Sequence, residues 1–329
     1  MRNDKKILVV REDPNKHPVL NVLKNYVGDN NVIVLTGILS YLYALKKIMS
    51  AKEILTTDPI VSCSLIFKRQ IFFSLEMFEY QVPIISFKSF LRWLIFITLH
   101  RISLKFCSKV IFPSKLRANY YLNRIGGLSN KISIVPNYPS ESVLSSISNA
   151  CMYHEDIHEW LKPYIIEGER EIENVKEFYL YMGTLNPTRG LDIVVKSVPQ
   201  SKEVVLLLAG RLNNEEYKKG CLKNNVLYLG DLDRSVVMRL LTLVDYAFMY
   251  YSNDLLNTKL CSPVKIFEYI NSGVSIISNV NEGLSEYKNT IKYFINSDGK
   301  IVINPSFDKK SYSSYLGISY EKALSDAGF

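Results

Sequence analysis

Long apolar runs and paired cysteines are both missing from this 329-residue sequence. The apolar stretch from Trp93 to Leu99 has seven residues, whereas a helix that crosses a membrane needs about 20. The early run Ile7–Val10 is shorter and charged residues follow it at once, so it does not resemble a signal peptide. The five cysteines form no Cys-x-x-Cys pair, which is typical of buried free thiols in a reducing compartment. These absences predict a cytoplasmic protein without membrane-spanning segments.

Several signatures of catalysis and metal binding are also absent. The sequence contains no Gly-x-Ser-x-Gly, no Walker and no His-Glu-x-x-His motif. Cys151, His154 and His158 have a spacing that can bind zinc, but they offer only three ligands within an acidic segment. We interpret them as surface residues and predict neither a metal site nor a cofactor.

Positive charge is concentrated in the first half of the chain. Residues 1–150 carry 20 basic and 9 acidic side chains, a net charge of +11, whereas residues 151–329 carry 20 and 23, a net charge of −3. This asymmetry indicates an anionic partner for the first half. The basic residues are scattered and lack the interleaved aromatic side chains of a nucleic-acid-binding sheet, so no nucleic acid is expected.

Short apolar runs alternate with helical segments, and this order predicts the fold class. One series extends from Ile7 to Pro136, and a second begins at Phe178. Apolar strands that alternate with helices form parallel sheets, so we expect two doubly wound α/β domains with a cleft between them and ligands at the carboxyl ends of the strands. We predict a first domain over residues 1–137 and a second over residues 177–307. The Ser-rich, then acidic, segment 138–176 is interpreted as a linker and an insertion.

The strongest local site signal is a helix predicted over residues 262–273. Ser262 can cap its N-terminus, Pro263 suits its first turn and Gly273 suits the position after its last turn. The free N–H groups and the positive dipole at such an N-terminus attract phosphate.

Two charged side chains on this helix extend the phosphate-binding interpretation. Lys265 adds a cation in the first turn, and Glu268 lies outside the apolar stripe of Val264, Phe267 and Ile270. A carboxylate in that place can accept hydrogen bonds from both hydroxyls of a ribose. The alternative is an ordinary capped helix with a Lys265–Glu268 ion pair.

Five short motifs follow one another in the second half of the chain. In order they are Tyr181-Met182-Gly183 with Arg189-Gly190, Ala209-Gly210-Arg211, Asn225-Val226-Leu227-Tyr228-Leu229-Gly230, Val244-Asp245-Tyr246-Ala247, and Pro263-Val264-Lys265-Ile266-Phe267-Glu268-Tyr269 followed by Gly273-Val274-Ser275-Ile276-Ile277-Ser278. This order resembles the donor domain of a GT-B glycosyltransferase and is most similar to glycosyltransferase family 4, in the subset with a Pro-x-Lys-x-x-Glu-Tyr motif. The resemblance implies two Rossmann-like domains that face a cleft, and a C-terminal helix within residues 308–329 that returns to the first domain.

The resemblance also implies a nucleoside-diphosphate sugar, UDP- or GDP-linked, bound by the second domain. Glu268 would bind the ribose and Arg189 the diphosphate, and Lys265 completes the implied catalytic set. Without a metal, cations and N–H groups have to stabilise the negative charge that develops on the leaving diphosphate. The implied donor-binding residues are Gly183, Thr184, Arg189, Gly190, Gly210, Arg211, Gly230, Ser262, Pro263, Val264, Lys265 and Glu268.

Two positions depart from the family's pattern. The first of two glutamates that members often carry falls on Leu260, and a basic residue of the first donor-domain strand falls on Thr184. We interpret Arg211 or Lys265 as the cation that compensates for Thr184. The departures leave a non-catalytic GT-B partner subunit with a decayed donor site as an alternative. A nucleotide-sugar epimerase of the same fold is a second alternative.

In the first half, the resemblance rests on the segment Ser108–Ser114 and on the Val135-Pro136-Asn137 step. Glu76, at a predicted strand end, and Lys88, where some members carry a histidine, are the acceptor-side candidates. A retaining transferase can work without a protein base when the acceptor hydroxyl gives its proton to the leaving phosphate.

The helix predicted over Phe90–Phe106 combines apolar and basic side chains. Its apolar face holds Phe90, Trp93, Leu94 and Ile97, and the basic residues nearby are Lys88, Arg92, Arg101, Lys105 and Lys109. Such a helix is typical of peripheral contact with an anionic membrane surface, and a core helix with a solvated flank is the alternative.

The function implied by the resemblance is a retaining, metal-independent hexosyltransferase. It would move a sugar from a nucleoside diphosphate to a saccharide or lipid-linked saccharide in the synthesis of a surface polysaccharide such as capsule, O-antigen or exopolysaccharide. We expect it in the cytoplasm, peripheral on the inner face of the plasma membrane.

Overall fold

The computed structural model describes residues 6–14, 18–75, 87–152, 155–168, 171–186, 189–212, 219–222, 225–253 and 256–329. Its strands are β1 (Lys6–Val10), β2 (Val32–Val34), β3 (Glu53–Thr56), β4 (Gln70–Phe73), β5 (Lys109–Phe112), β6 (Ile132–Ile134), β7 (Glu177–Met182), β8 (Val204–Ala209), β9 (Val226–Gly230), β10 (Tyr246–Met249), β11 (Ser275–Ser278), β12 (Tyr293–Ile295) and β13 (Ile301–Ile303). Its helices are α1 (Pro18–Val27), α2 (Ile38–Ser50), α3 (Pro59–Ser64), α4 (Phe87–Phe106), α5 (Lys115–Leu122), α6 (Glu141–Cys151), α7 (Ile157–Leu161), α8 (Leu191–Ser197), α9 (Arg234–Leu241), α10 (Leu256–Lys259), α11 (Lys265–Ser272), α12 (Lys309–Ser313) and α13 (Tyr320–Asp326).

The first sheet has six parallel strands in the order β2-β1-β3-β4-β5-β6. Its strands are short apolar runs buried on both faces, as a sheet covered by helices on each side requires. On one face Leu8 and Val10 pack with Leu20 of α1 and with Tyr320 and Leu324 of α13.

The second sheet has the order β13-β12-β11-β10-β7-β8-β9, and all its strands are parallel except β13. β7 and β8, near its middle, have almost entirely apolar side chains, and one face of both packs on α8 through Leu191, Val194 and Val195. The strand order reverses direction around β7 and β10, which places a topological switch point beside the carboxyl end of β7.

The chain divides into two compact units. The first ends at Ser140 and is completed by Ser319–Phe329, and the second spans Glu141–Ile318. Of the segment interpreted as a linker and insertion, residues from Glu141 on are therefore folded into the second unit. Their apolar side chains Ile147, Leu161, Ile172 and Val175 are buried, although the surrounding Ser-rich and acidic composition suggested an exposed stretch.

The C-terminal part of the chain is shared between the units. Asp308 caps α12 in the second unit through bonds to the amides of Lys310 and Ser311. α13, by contrast, packs on α1 in the first unit. The segment that joins the first unit is thus shorter than the expected 308–329.

The predicted fold class is confirmed, because both units are parallel-sheet α/β domains. No disulfide links the five cysteines, as expected, although Cys151 is exposed and Cys63 is half-buried. Within the described part of the chain, none of the helices combines the length and the apolarity that crossing a membrane requires. The apolar run Val82–Phe87 also predicts a strand, which is wrong at Phe87, because α4 begins there; the other residues of the run lie outside the described ranges.

Candidate functional site

The carboxyl ends of β7, β8 and β9 approach one another through glycines. Gly183, Gly210 and Gly230 have φ values of +107°, +143° and +73°, a region that favours glycine. The Gly210 amide donates to the Gly230 carbonyl (2.6 Å), and the Gly183 amide donates to the carbonyl of Ala209 (2.8 Å). A Cβ on Gly210 would lie 1.8 Å from the carbonyl oxygen of Gly183. The three strand ends therefore meet through their backbones, with Gly210 and Gly230 buried and Gly183 half-buried.

Gly210→Ala is expected to lower the free energy of unfolding by about 3 kcal/mol or more, because its Cβ would overlap a backbone carbonyl. Urea denaturation measures this loss. Gly273→Ala is the matched control: its φ is +79°, but nothing lies within 4 Å of the added Cβ. Only the conformational cost of about 1–2 kcal/mol should then remain. Equal losses in the two variants would contradict the close approach.

Lys265, the first residue of α11, reaches this edge of the sheet. Its Nζ donates to the carbonyl oxygen of Met182 (2.5 Å), the last residue of β7. A Cβ on Gly183 would lie 2.7 Å from the same Nζ. Burial lowers the pKa of Lys265 to about 8; Glu268 opposes this shift and Arg189 adds to it. The amine is thus a cation at neutral pH that burial has brought close to losing its proton.

Glu268 lies one turn further along α11 and is almost wholly buried. Its Oε1 accepts a hydrogen bond from Nη2 of Arg234, the first residue of α9. Burial raises the pKa of the carboxyl group, and the charges of Arg234 and Lys265 oppose that rise. A buried carboxylate kept beside two cations can accept hydrogen bonds from a polar ligand.

The backbone of Arg189 is held in place just before α8. Gly190, the N-cap of that helix, has φ +66°, and a Cβ there would lie 2.2 Å from the ring of Tyr250. The Tyr181 hydroxyl donates to the Arg189 carbonyl (2.9 Å), and the Arg189 amide donates to Oδ1 of Asn186 (3.0 Å). These hydrogen bonds hold the backbone of Arg189 and therefore fix the position of the Cα from which its side chain extends.

The guanidinium of Arg189 belongs to the same cluster as Lys265. Its central carbon lies 5.9 Å from the centroid of the Tyr251 ring, and Nζ of Lys265 lies 5.8 Å from the centroid of the Tyr181 ring. Burial raises the pKa values of Tyr181 and Tyr251, and the charge of Arg189 opposes both shifts. Arg189, from one predicted motif, and Lys265 and Glu268, from another, are thus brought together at one sheet edge.

The N-terminus of α11 differs from the prediction. The helix begins at Lys265 with Val264 as its N-cap, and no side chain caps it. Ser262 and Pro263 are buried and lie two and one residues before that cap, so Ser262 is not at the N-cap position. At the other end Gly273 has φ +79°, the left-handed conformation that the sequence indicated.

α11 is also more buried than its pattern indicated. Ile266 and Tyr269 are buried as well as Phe267 and Ile270, so Glu268 does not face solvent. The alternative, an ordinary capped helix with a Lys265–Glu268 ion pair, does not describe α11, because Glu268 is hydrogen-bonded to Arg234 and Lys265 to a backbone carbonyl.

The two departures from the family pattern have different surroundings. Thr184 is exposed and Leu260 is buried. Arg211, one of the two residues interpreted as compensating for Thr184, is 76% exposed and its Nε donates to Asp231 (2.5 Å). Lys265, the other, lies against Gly183. The cation at the strand ends is therefore Lys265, and Arg211 extends into solvent.

The remaining candidates lie in the first unit or in the acidic segment. Lys88 is exposed in the first turn of α4, and Glu76 lies outside the described residues. His158 bonds to Asp156 (2.7 Å) and to the carbonyl of Val175 (2.9 Å), and His154 lies outside the described residues. Within the residue ranges that the structure describes, no three or more histidine, cysteine, aspartate or glutamate side chains are arranged to bind a metal ion.

Sequence reasoning missed Arg234 and two asparagines. Asn279 exchanges hydrogen bonds with the backbone amide and carbonyl of Tyr251 (3.0 and 2.7 Å), and Asn281 donates to the same carbonyl (3.1 Å). The asparagines come directly after the buried strand Ser275–Ser278, a position that could have indicated a site. No sequence pattern around Arg234 indicates a role for it, because its partner Glu268 lies 34 residues away.

Neither a protein-family model nor a curated protein sequence matches this chain. Its fold is similar to that of solved glycosyltransferase structures. HepE from Anabaena, solved with UDP-glucose, has a TM-score of 0.56 and 14% identity over 98% of this chain and 94% of its own. Sucrose-phosphate synthase from Thermosynechococcus elongatus has a TM-score of 0.59 with the same identity and coverage. A glycosyltransferase from Rickettsia africae has a TM-score of 0.55 and 13% identity over 99% and 92%.

These similarities place the chain in the GT-B fold, the fold class that the order of motifs implied. At 13–14% identity they show the fold alone. The chemistry has to be argued from the side chains at the edge of the second sheet.

Proposed function

We propose that this chain is a glycosyltransferase that binds a nucleoside-diphosphate sugar in its second unit. The observation that carries this proposal is the convergence of Arg189, Lys265 and the buried Glu268 near the carboxyl end of β7. Two cations beside a half-buried glycine at a strand end suit a diphosphate, and a buried carboxylate one helical turn away suits a ribose. HepE, which has the same fold, was solved with UDP-glucose, and this supports a sugar nucleotide as the ligand.

The proposed reaction is the transfer of the sugar from diphosphate to an acceptor hydroxyl. The bond between the anomeric carbon and the diphosphate oxygen breaks, and the acceptor oxygen forms a new bond to that carbon. With retention of configuration, the hydroxyl proton passes to the departing diphosphate, so no protein base is needed. Arg189 and Lys265 then stabilise the charge on the leaving group, the part that a metal ion plays in other transferases.

A transfer assay tests the proposal and separates it from its alternatives. The chain is incubated with UDP- and GDP-sugars, with and without a membrane extract as acceptor, and with EDTA in a parallel series. We expect transfer that depends on the extract and persists in EDTA. Conversion of the donor without acceptor would identify an epimerase. Nucleotide binding without turnover would identify a non-catalytic subunit.

Nucleotide affinity is expected to fall as the pH rises above about 8. Below its pKa of about 8, the Lys265 amine is charged and attracts the diphosphate; above it the amine is neutral and the attraction is lost. Calorimetric titration with UDP and GDP from about pH 6.5 to about pH 9.5 should show a loss of about tenfold. Lys265→Arg stays charged over this range and should give a flat profile. A wild-type profile as flat as that of the variant would contradict the assignment.

The acceptor is proposed to be a saccharide or lipid-linked saccharide of surface polysaccharide synthesis, with the first unit peripheral on an anionic membrane. α4 supports this, although its surface differs from the predicted face. Ile97 is buried and Trp93 is half-buried, whereas Phe90 and Leu94 are exposed. The other exposed side chains of its first half are Phe87, Lys88, Leu91, Arg92 and Ile95.

Two further features of the first unit favour an anionic surface. Among its residues whose burial is described, α2 carries four exposed large apolar side chains, Leu39, Leu42, Tyr43 and Met49. Neither α2 nor α4 has an acidic residue, and residues 80–140 contain no aspartate or glutamate at all. Apolar side chains among cations and without acidic neighbours are typical of peripheral membrane helices.

Replacing Leu91 and Ile95 together by glutamine is expected to weaken binding to anionic vesicles by about tenfold or more, because two exposed apolar side chains can no longer enter the interface. Vesicle co-sedimentation measures this. Ile303→Gln, at an exposed position of the second unit, is the control. Binding should also weaken at high salt. Equal binding to neutral vesicles, or an unaffected double variant, would contradict the proposal.

A further inference from the structure

The ion pair between Arg234 and Glu268 has no part in the function proposed above. Arg234 begins α9, just after the end of β9, and Glu268 lies on α11. The two helices pack against each other, and both also contact α6. The pair therefore joins two packed helices across the edge of the candidate site.

The two side chains differ in their access to solvent. The Glu268 side chain is 4% exposed, whereas that of Arg234 is 48% exposed. Arg234 thus lies on the solvent side of the carboxylate. A ligand that reaches Glu268 from solvent also meets the guanidinium.

The hydrogen bond sets the direction of the carboxylate. Nη2 of Arg234 donates a hydrogen bond to Oε1 of Glu268. The amine of Lys265 donates to the carbonyl of Met182 instead. A guanidinium is planar and rigid, so a bond to it fixes both the position and the rotation of a carboxylate more firmly than a lysine does. Among the described residues no hydrogen bond is made to Oε2, so this oxygen can still accept one.

We propose that Arg234 is a positioning residue for the nucleotide: it holds Oε1 of Glu268 so that Oε2 accepts hydrogen bonds from the ribose hydroxyls. This inference rests on the proposed function, since it concerns the ribose of the same donor. It also divides the cations of the site into two groups. Arg189 and Lys265 at the end of β7 serve the diphosphate, and Arg234 serves the ribose through Glu268.

Calorimetric titration with UDP and with 2′,3′-dideoxy-UDP tests this inference, with GDP and its dideoxy form run in parallel. For the wild-type chain, the hydroxyls should raise the affinity about 30-fold, because both donate to a charged, buried acceptor. Arg234→Ala should lower the UDP affinity about tenfold and change the dideoxy affinity less than about twofold. The ratio of the two affinities then falls to about sixfold or less. Arg234→Lys should give an intermediate ratio, because it keeps the charge without the rigid fork.

The ratio of the UDP affinity to the dideoxy-UDP affinity distinguishes a positioning role of Arg234 from a general structural role. If Arg234 only stabilised the second unit, its loss would weaken the binding of both ligands equally and leave the ratio of their affinities unchanged. Lys176→Ala is the matched control, because it removes the cation of another ion pair in the same unit, with Glu203 (2.5 Å). Thermal unfolding of each variant shows whether it is folded under the conditions of titration.

The outcomes are distinguishable. A reduced ratio in Arg234→Ala, restored in part by lysine, supports the inference. An unchanged ratio overturns it and leaves the proposed function standing. A rise in UDP affinity also overturns it, because Arg234 would then compete with the ribose for Glu268. If neither UDP nor GDP binds the folded wild-type chain at millimolar concentration, both the proposed function and the inference are overturned.

Discussion

Glu268→Gln is expected to weaken the binding of UDP or GDP by about 100-fold, which corresponds to about 2.7 kcal/mol. The substitution keeps the shape of the side chain and removes its charge. The two ribose hydroxyls then lose an ionised acceptor, and the hydrogen bond of Arg234 has an uncharged amide oxygen as its acceptor instead of a carboxylate. Calorimetric titration measures the affinity, and Glu268→Ala should lose at least as much.

The fold of the Glu268 variants has to be checked separately, because the residue is buried between two cations. Thermal unfolding gives this check, and glutamine removes the cost of burying a charge, so the variant should remain folded. Glu282→Gln is the matched control: it removes an exposed carboxylate that pairs with Lys259 (3.1 Å) in the same unit. Nucleotide affinity equal to that of the wild type in a folded Glu268→Gln variant would contradict the proposed site.

Arg189→Ala is expected to lower kcat by about 100- to 1,000-fold with a smaller change in KM. The guanidinium stabilises charge that grows as the glycosidic bond breaks, so it stabilises the transition state more than the bound donor. Steady-state kinetics with the donor identified in the transfer assay measures both constants. Arg189→Lys should recover part of kcat, because it restores the charge without the planar donor geometry.

Arg211 provides the contrast for this prediction. The family resemblance implied that it binds the donor, yet its side chain extends into solvent and pairs with Asp231. Arg211→Ala is therefore expected to lower kcat by about threefold or less, since exposed ion pairs contribute little. Similar losses for Arg189 and Arg211 would show that the loop after β8 takes part in donor binding in a way this structure does not indicate.

The fold could be predicted because its signal is local. Each inner strand of a parallel sheet is a short apolar run, and runs such as Val204–Ala209 stand out from the amphipathic helices between them. The glycines at the strand ends could also be identified, because Gly183 and Gly210 each follow such a run directly. Local composition was misleading for the segment after Asn137. Its serine and acidic residues indicated a linker and an insertion, but it also carries enough buried apolar residues to form α6 and α7 of the second unit.

The sequence by itself determined two parallel-sheet domains, the glycine edge of the second one and a helix that carries Lys265 and Glu268. These follow from periodicity and from residue types within a few positions of one another. Only the tertiary structure decided which charges meet: Lys265 reaches a carbonyl 83 residues away, and Glu268 pairs with Arg234, 34 residues away. The partner of a buried charge depends on which strand ends and helices adjoin it, and that follows from sheet order and packing rather than from spacing along the chain.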